Sequence, residues 1–104
     1  MYIQTKTYTR TDGGDFFDLV APMVTIHGKI VSYKKNYPGY LGMKIDLQNE
    51  GNVFVSINNW ENKDACDGWE QELTTTLAHL QYKSAMDAFL IENNIVCNVT
   101  FEES

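Results

Sequence analysis

Residues 50–79 read EGNVFVSINNWENKDACDGWEQELTTTLAH, and the order of elements in this stretch decides the fold. It opens inside Asn49-Glu50-Gly51-Asn52, a hairpin loop separating two alternating apolar runs. The second run, residues 53–60, puts Val53, Val55 and Ile57 on one face and ends on Trp60. Asn62 then offers an N-cap, and Asp64 a carboxylate where a helix N-terminus favours one. Ala65, Trp69, Leu73, Leu77 and Leu80 follow at helical spacing, and the β-branched Thr74-Thr75-Thr76 predicts a bend in that helix.

Upstream, residues 40–47 alternate, with Leu41, Met43, Ile45 and Leu47 on one side and Tyr40, Lys44 and Asp46 on the other. That is a strand with one buried face. Tyr37-Pro38-Gly39 is the turn before it. Residues 15–36 read as a kinked helix: Pro22 suits a first turn, and Met23, Ile26, His27, Ile30 and Val31 share a face. Gly28 within it costs about 1 kcal/mol. Residues 2–9 are a strand rich in β-branched and aromatic types, closed by the turn Thr11-Asp12-Gly13-Gly14. Downstream, residues 84–90 give a short second helical piece. Residues 95–102 alternate again, with Ile95, Cys97, Val99 and Phe101 on one side.

The order β-α-β-β-α-β predicts an α+β fold of the ferredoxin-like kind, a four-stranded antiparallel sheet with its helices on one face. The other face must then be polar or covered by a partner. Tyr2, Tyr8, Tyr40, Phe54 and Trp60 are assigned to that open face, a load too aromatic to leave bare, which predicts a homodimer.

The 104 residues make one domain, 1–104, with room for a single core. A net charge of −6 with scattered basic residues excludes nucleic acid as a partner and a basic membrane-surface helix. No apolar run approaches a membrane span, and the first residues lack a secretory pattern, so a cytoplasmic protein is expected. Cys66 and Cys97 read as buried small hydrophobes, and no spacing of ligating residues points to a metal.

Local motifs resemble the antibiotic-biosynthesis-monooxygenase-like family of dimeric α/β barrels. They are Pro38-Gly39-Tyr40-Leu41-Gly42 opening the second strand, Phe54 to Trp60 followed by Glu61, and Asp64-Ala65-Cys66-Asp67-Gly68-Trp69. The resemblance implies a dimeric barrel and an oxygenase that works without metal or flavin on a small aromatic, anthrone- or quinol-like substrate and O₂. Its haem-degrading branch carries a helix Trp and, ten positions on, a His that ligates haem iron, a spacing that Trp69 and His79 match. That branch also uses a first-strand Asn, which residues 2–9 lack; Gln4, Thr5 and Thr7 are the nearest polar residues.

His79 and His27 are the candidate catalytic bases, because imidazole titrates near neutral pH. On an unbroken helix His79 lies roughly 80° from Trp69, at the edge of the apolar stripe. There it either reaches a pocket mouth or faces water. His27, on the apolar face of its helix, is otherwise a satisfied core histidine. Of Asn58 and Asn59, one must point inward, where its amide could donate to a developing oxyanion or simply cap the strand end. Trp60, Trp69 and Phe54 are the candidate walls. Three classes stay open: a cofactor-free oxygenase, a haem protein with His79 as axial ligand, and a non-enzymatic dimer that binds a small hydrophobic molecule.

Overall fold

Strand β1 (Tyr2–Arg10) runs through the middle of a sheet ordered β2-β3-β1-β4, and every neighbouring pair is antiparallel. The computed structural model describes residues 1–104. After β1 come helices α1 (Val20–His27) and α2 (Val31–Lys35), then strands β2 (Tyr40–Gln48) and β3 (Val53–Trp60). Helices α3 (Lys63–Glu72) and α4 (Leu77–Glu92) follow, and strand β4 (Ile95–Glu103) ends the chain. This is the ferredoxin-like βαββαβ arrangement, with each helical unit broken in two.

Both breaks have local causes. Pro22 sits in the first turn of α1, Gly28 caps its end, and Ile30 leaves the helical path before α2 begins. The second break falls at Thr74–Thr76, where Thr74 and Thr75 hydroxyls bond back to the carbonyls of Gln71 and Glu72. Thr76 then caps α4 by accepting the His79 backbone N–H, as Asn62 caps α3 through Ala65. The break resets the helical phase. Leu77 and Leu80, in register with Trp69 on an unbroken helix, are exposed, and α4 instead buries His79, Tyr82 and Met86. It also runs from Leu77, well before the short piece expected at 84–90.

The aromatic face of the sheet is the covered one, contrary to the expectation from sequence. Tyr2, Tyr8, Phe54 and Trp60 are buried beneath the helices, with Tyr40 half-buried beside Trp60. Register puts Ile3, Thr5, Thr7, Val55, Ile57, Asn59, Asn98 and Thr100 on the opposite face. Alternation alone finds two faces without saying which one the helices choose. Two apolar clusters fill the space between the layers. One surrounds Trp60 and Trp69 with Tyr2, Ile30 and Cys66; the other gathers Phe16, Met23, Tyr8 and Ile95 around Phe54.

Gly39 lets α3 come close to the sheet. Its φ is +90°, and a Cβ there would stand 2.6 Å from the Ala65 Cβ. On β2 the alternating side is only half covered: Met43 and Leu47 are partly buried, while Leu41 and Ile45 are exposed. β4 is barer still, exposing every residue after Ile95.

Candidate functional site

A cavity of about 70 Å³ lies where the two apolar clusters meet, between the helices and the centre of the sheet. Its walls include Met23, Ile30, Phe54, Trp69, Leu73, Tyr82 and Met86, and the exposed Val24 and Ile45 flank its mouth. Five polar side chains face it from three directions: His27 from α1, Lys34 from α2, and Lys6, Ser56 and Asn58 from the sheet. Each placement follows from local periodicity. Ile30 and Lys34 are one helical turn apart and both turn inward, while Lys35 stays exposed. Ser56 and Asn58 alternate with Phe54 and Trp60 on the covered face of β3, and Lys6 lies between Gln4 and Tyr8 on that face of β1.

These groups form a short polar chain. The Lys34 ammonium donates to Asn58 Oδ1 at 2.6 Å, and Asn58 Nδ2 donates to Ser56 Oγ at 3.2 Å. Lys34 is buried, and its Nζ also stands 5.3 Å from the centre of the Tyr40 ring, a cation–π distance. The two ion pairs of the molecule, Arg10–Asp12 and Lys63–Asp67, lie elsewhere, so neither Lys34 nor Lys6 has a carboxylate within salt-bridge distance. Burial, helped by the nearby Lys6 charge, brings Lys34 down to about 8.

His27 is the third titratable group. Burial, then the charges of Lys34 and Lys6, push its pKa down to about 4, so the ring is neutral at neutral pH. Its Nε2 is buried with no hydrogen-bond partner, and its ring meets Tyr82 edge-on at 6.2 Å. A buried ring nitrogen without a partner, on a cavity wall, is free to exchange a proton with whatever occupies the cavity. Burial also drives the Tyr8 and Tyr82 hydroxyls up, Tyr82 to about 12, which keeps both as neutral phenols.

Of the residues singled out from sequence, His27, Asn58, Trp69 and Phe54 converge on this cavity. His79, Asn59 and Trp60 do not. His79 is buried behind Trp69, its ring 5.1 Å from that indole and 5.2 Å from Tyr33. Its Nδ1–H donates to the Glu72 carbonyl at 3.1 Å. That makes it a satisfied core histidine closing the α3–α4 break, the role sequence reading had attached to His27. Asn59 sits on the uncovered face of the sheet, paired with Ile3 and Gly42. Trp60 is fully enclosed, meeting Tyr37 edge-on and Tyr40 at a tilt at the end of the core. The residues present do not fit haem: the ring of His79 is walled in by Trp69 and Tyr33, and the cavity is far smaller than a porphyrin.

Lys34, Lys6, Ser56 and Tyr82 were missed from sequence. Lys34 follows His27 by two helical turns, a signal obscured by the break at Gly28, and Lys6 follows from alternation with Gln4 and Tyr8. Lys6, Tyr8, Leu73, Tyr82 and Met86 also form the near wall of an open cleft of about 430 Å³ that runs under α4 towards β4. Gln4 lies in that cleft, donating to Glu70 at 2.9 Å while its own buried oxygen has no donor.

No family model matches the chain, and no curated protein matches it in sequence. Solved structures share its fold. The cofactor-independent oxygenase SnoaB of Streptomyces nogalater superposes with a TM-score of 0.65 at 13% identity, over 99% of this chain and 91% of that one. An antibiotic biosynthesis monooxygenase matches with a TM-score of 0.60 at 11% identity, over 98% of this chain and 97% of that one. A protein from Agrobacterium tumefaciens gives 0.64 at 17% identity, over 99% and 92% of the two chains. At such identities the likeness is one of fold.

Proposed function

We propose that the protein is a cofactor-independent oxygenase of a small phenolic or enolisable aromatic compound. The observation that carries this reading is the meeting of His27, with its unpartnered Nε2, and the unpaired Lys34 and Lys6 in one apolar cavity. Support also comes from the fold shared with SnoaB, an oxygenase that needs no cofactor.

Ionising a substrate phenol or an acidic C–H is the first task. The site holds two cations and a neutral imidazole, which favours an anion in the cavity. Burial is the larger part of what depresses His27; as the anion forms between Lys34 and Lys6 it offsets their charges and itself attracts the released proton to His27 Nε2. The electron-rich anion then passes one electron to O₂, and the two radicals combine to an organic peroxide anion. His27 returns its proton to that anion, and loss of water leaves a new carbonyl group. One O₂ enters and one oxygen atom leaves as water, so no outside reductant is required. Trp69, Phe54 and Met23 exclude solvent from the reacting ring. The reacting edge of the substrate lies in the cavity, and the remaining bulk lies in the adjoining cleft of about 430 Å³.

We further propose that the working unit is a homodimer. The support is the bare β4, where Val96, Val99 and Phe101 remain exposed on an edge strand.

The test is O₂ uptake with anthrone- and quinol-like compounds in the presence of a chelator. Turnover that His27→Gln reduces by about 10²–10⁴-fold supports the reading. No uptake across such a panel removes it.

A further inference from the structure

We propose that Lys34 is also a carbonyl-capturing amine, whose Nζ condenses with a small 2-oxo acid held through its carboxylate by Lys6. The inference is independent of the oxygenase reading, since imine formation uses no O₂.

The chemistry of imine formation requires four things, and the cavity supplies each. It needs an amine without a carboxylate partner. The Lys34 Nζ is buried, bonds only to the Asn58 amide oxygen, and has no ion pair. It needs that amine free of its extra proton for part of the time, and burial brings it to about 8. The groups acting on it are Lys6 from β1, His27 from α1, Tyr40 from β2, and Glu70 and Cys66 from α3. Glu70 is the one carboxylate among them and is already engaged by Gln4, while burial keeps the Cys66 thiol neutral by pushing it up to about 11.

The third requirement is a group that moves a proton from nitrogen to the departing oxygen. His27 is neutral at neutral pH and presents an unpartnered Nε2 to the same space. The fourth is a way to hold the carbonyl compound. Lys6 is a second cation without an ion pair on the cavity wall, and it matches a carboxylate. A volume of about 70 Å³ is on the scale of the bare molecular volume of a three-carbon oxo acid.

The step balances without any redox partner. The Nζ lone pair attacks the carbonyl carbon, the C–N bond forms, and the oxygen takes a proton to give a carbinolamine. Nitrogen gives up its remaining hydrogen through His27, the C–O bond breaks, and one water leaves.

The experiment is reductive trapping under anaerobic conditions. The full-length protein is incubated at pH 8 with pyruvate and cyanoborohydride, then digested and mapped by mass spectrometry. Acetaldehyde serves as the probe lacking a carboxylate. The expected result is one adduct per chain, on Lys34, forming on the order of 10- to 10²-fold faster than adducts on the exposed Lys35 and Lys63. Lys34→Arg abolishes it, His27→Gln slows it, and Lys6→Met slows trapping of pyruvate by a larger factor than trapping of acetaldehyde. Labelling spread over the exposed lysines with Lys34 among the slowest overturns the proposal. Equal trapping of both probes, unaffected by Lys6→Met, overturns the oxo-acid assignment. Should Lys34→Arg fold poorly, adduct mapping on the wild-type chain decides alone.

Discussion

The Lys34 Nζ donates to Asn58 Oδ1 at 2.6 Å across the gap between α2 and β3, and this bond, with the Tyr40 ring, holds a buried cation that no carboxylate balances. Keeping a charge there costs stability. A fold retains such an arrangement where the charge acts on something else.

Replacing Lys34 by Met therefore stabilises the protein at pH 7. The folded-state value of about 8 lies below the ordinary 10.5, so the penalty is full below pH 8 and fades as pH rises towards 10.5. The shift corresponds to roughly 3 kcal/mol, and an Asn58 oxygen left without its donor returns about 1–2 of that. The variant should gain on the order of 1–2 kcal/mol at pH 7 and lose about 1–2 kcal/mol above pH 10.5, where only the unpaired Asn58 oxygen counts. Urea unfolding at several pH values measures this, and a destabilised Lys34→Met at pH 7 contradicts it.

His27 carries the opposite end of the pH range. Its folded pKa is lowered to about 4 from 6.5, so it is neutral in both states above pH 6.5 and contributes nothing there. Between pH 6.5 and about 4 the unfolded chain binds the proton first, and stability falls as pH falls. In His27→Phe that part of the acid slope disappears. Thermal melts of the two proteins from pH 7.5 to 4 read it directly.

The two histidines should separate cleanly in kinetics and stability. His79→Ala removes a ring packed between Trp69 and Tyr33 and its bond to Glu72, at a cost of about 2–4 kcal/mol. What remains folded keeps its specific activity within a few-fold. His27→Gln retains stability near neutral pH and loses about 10²–10⁴-fold in turnover. The reverse pattern, an inactive but stable His79→Ala, would move the site to the α3–α4 break.

Association is tested by mass. Sedimentation equilibrium at micromolar concentration should give twice 11.9 kDa, and Phe101→Lys on β4 should shift it towards the monomer. A monomer in the wild type removes the dimer proposal.

Part of the candidate site was legible because strands alternate, although Lys6 and Ser56 were passed over. Gln4, Lys6 and Tyr8, and likewise Phe54, Ser56, Asn58 and Trp60, had to share faces once their strands were recognised. His79 was misplaced for the reverse reason. Its angle from Trp69 assumes one continuous helix, and hydroxyl bonds at Thr74 and Thr75 end that helix and start another in a different phase.

What the sequence determined by itself was the order of elements, the turn at Pro38-Gly39, the cap at Asn62 and the pairing that makes a ferredoxin-like sheet. All of these depend on neighbours a few residues apart. Tertiary structure decided which face of the sheet the helices cover, and hence that Tyr8, Phe54 and Trp60 lie inside rather than outside. It also put His27 on the cavity wall and His79 against the Glu72 carbonyl, and turned Lys34 inward beside Asn58, while its neighbour Lys35 stays in water. The physical reason is that burial and charge pairing are properties of groups far apart in the chain, so local periodicity can offer the alternatives but only packing selects among them.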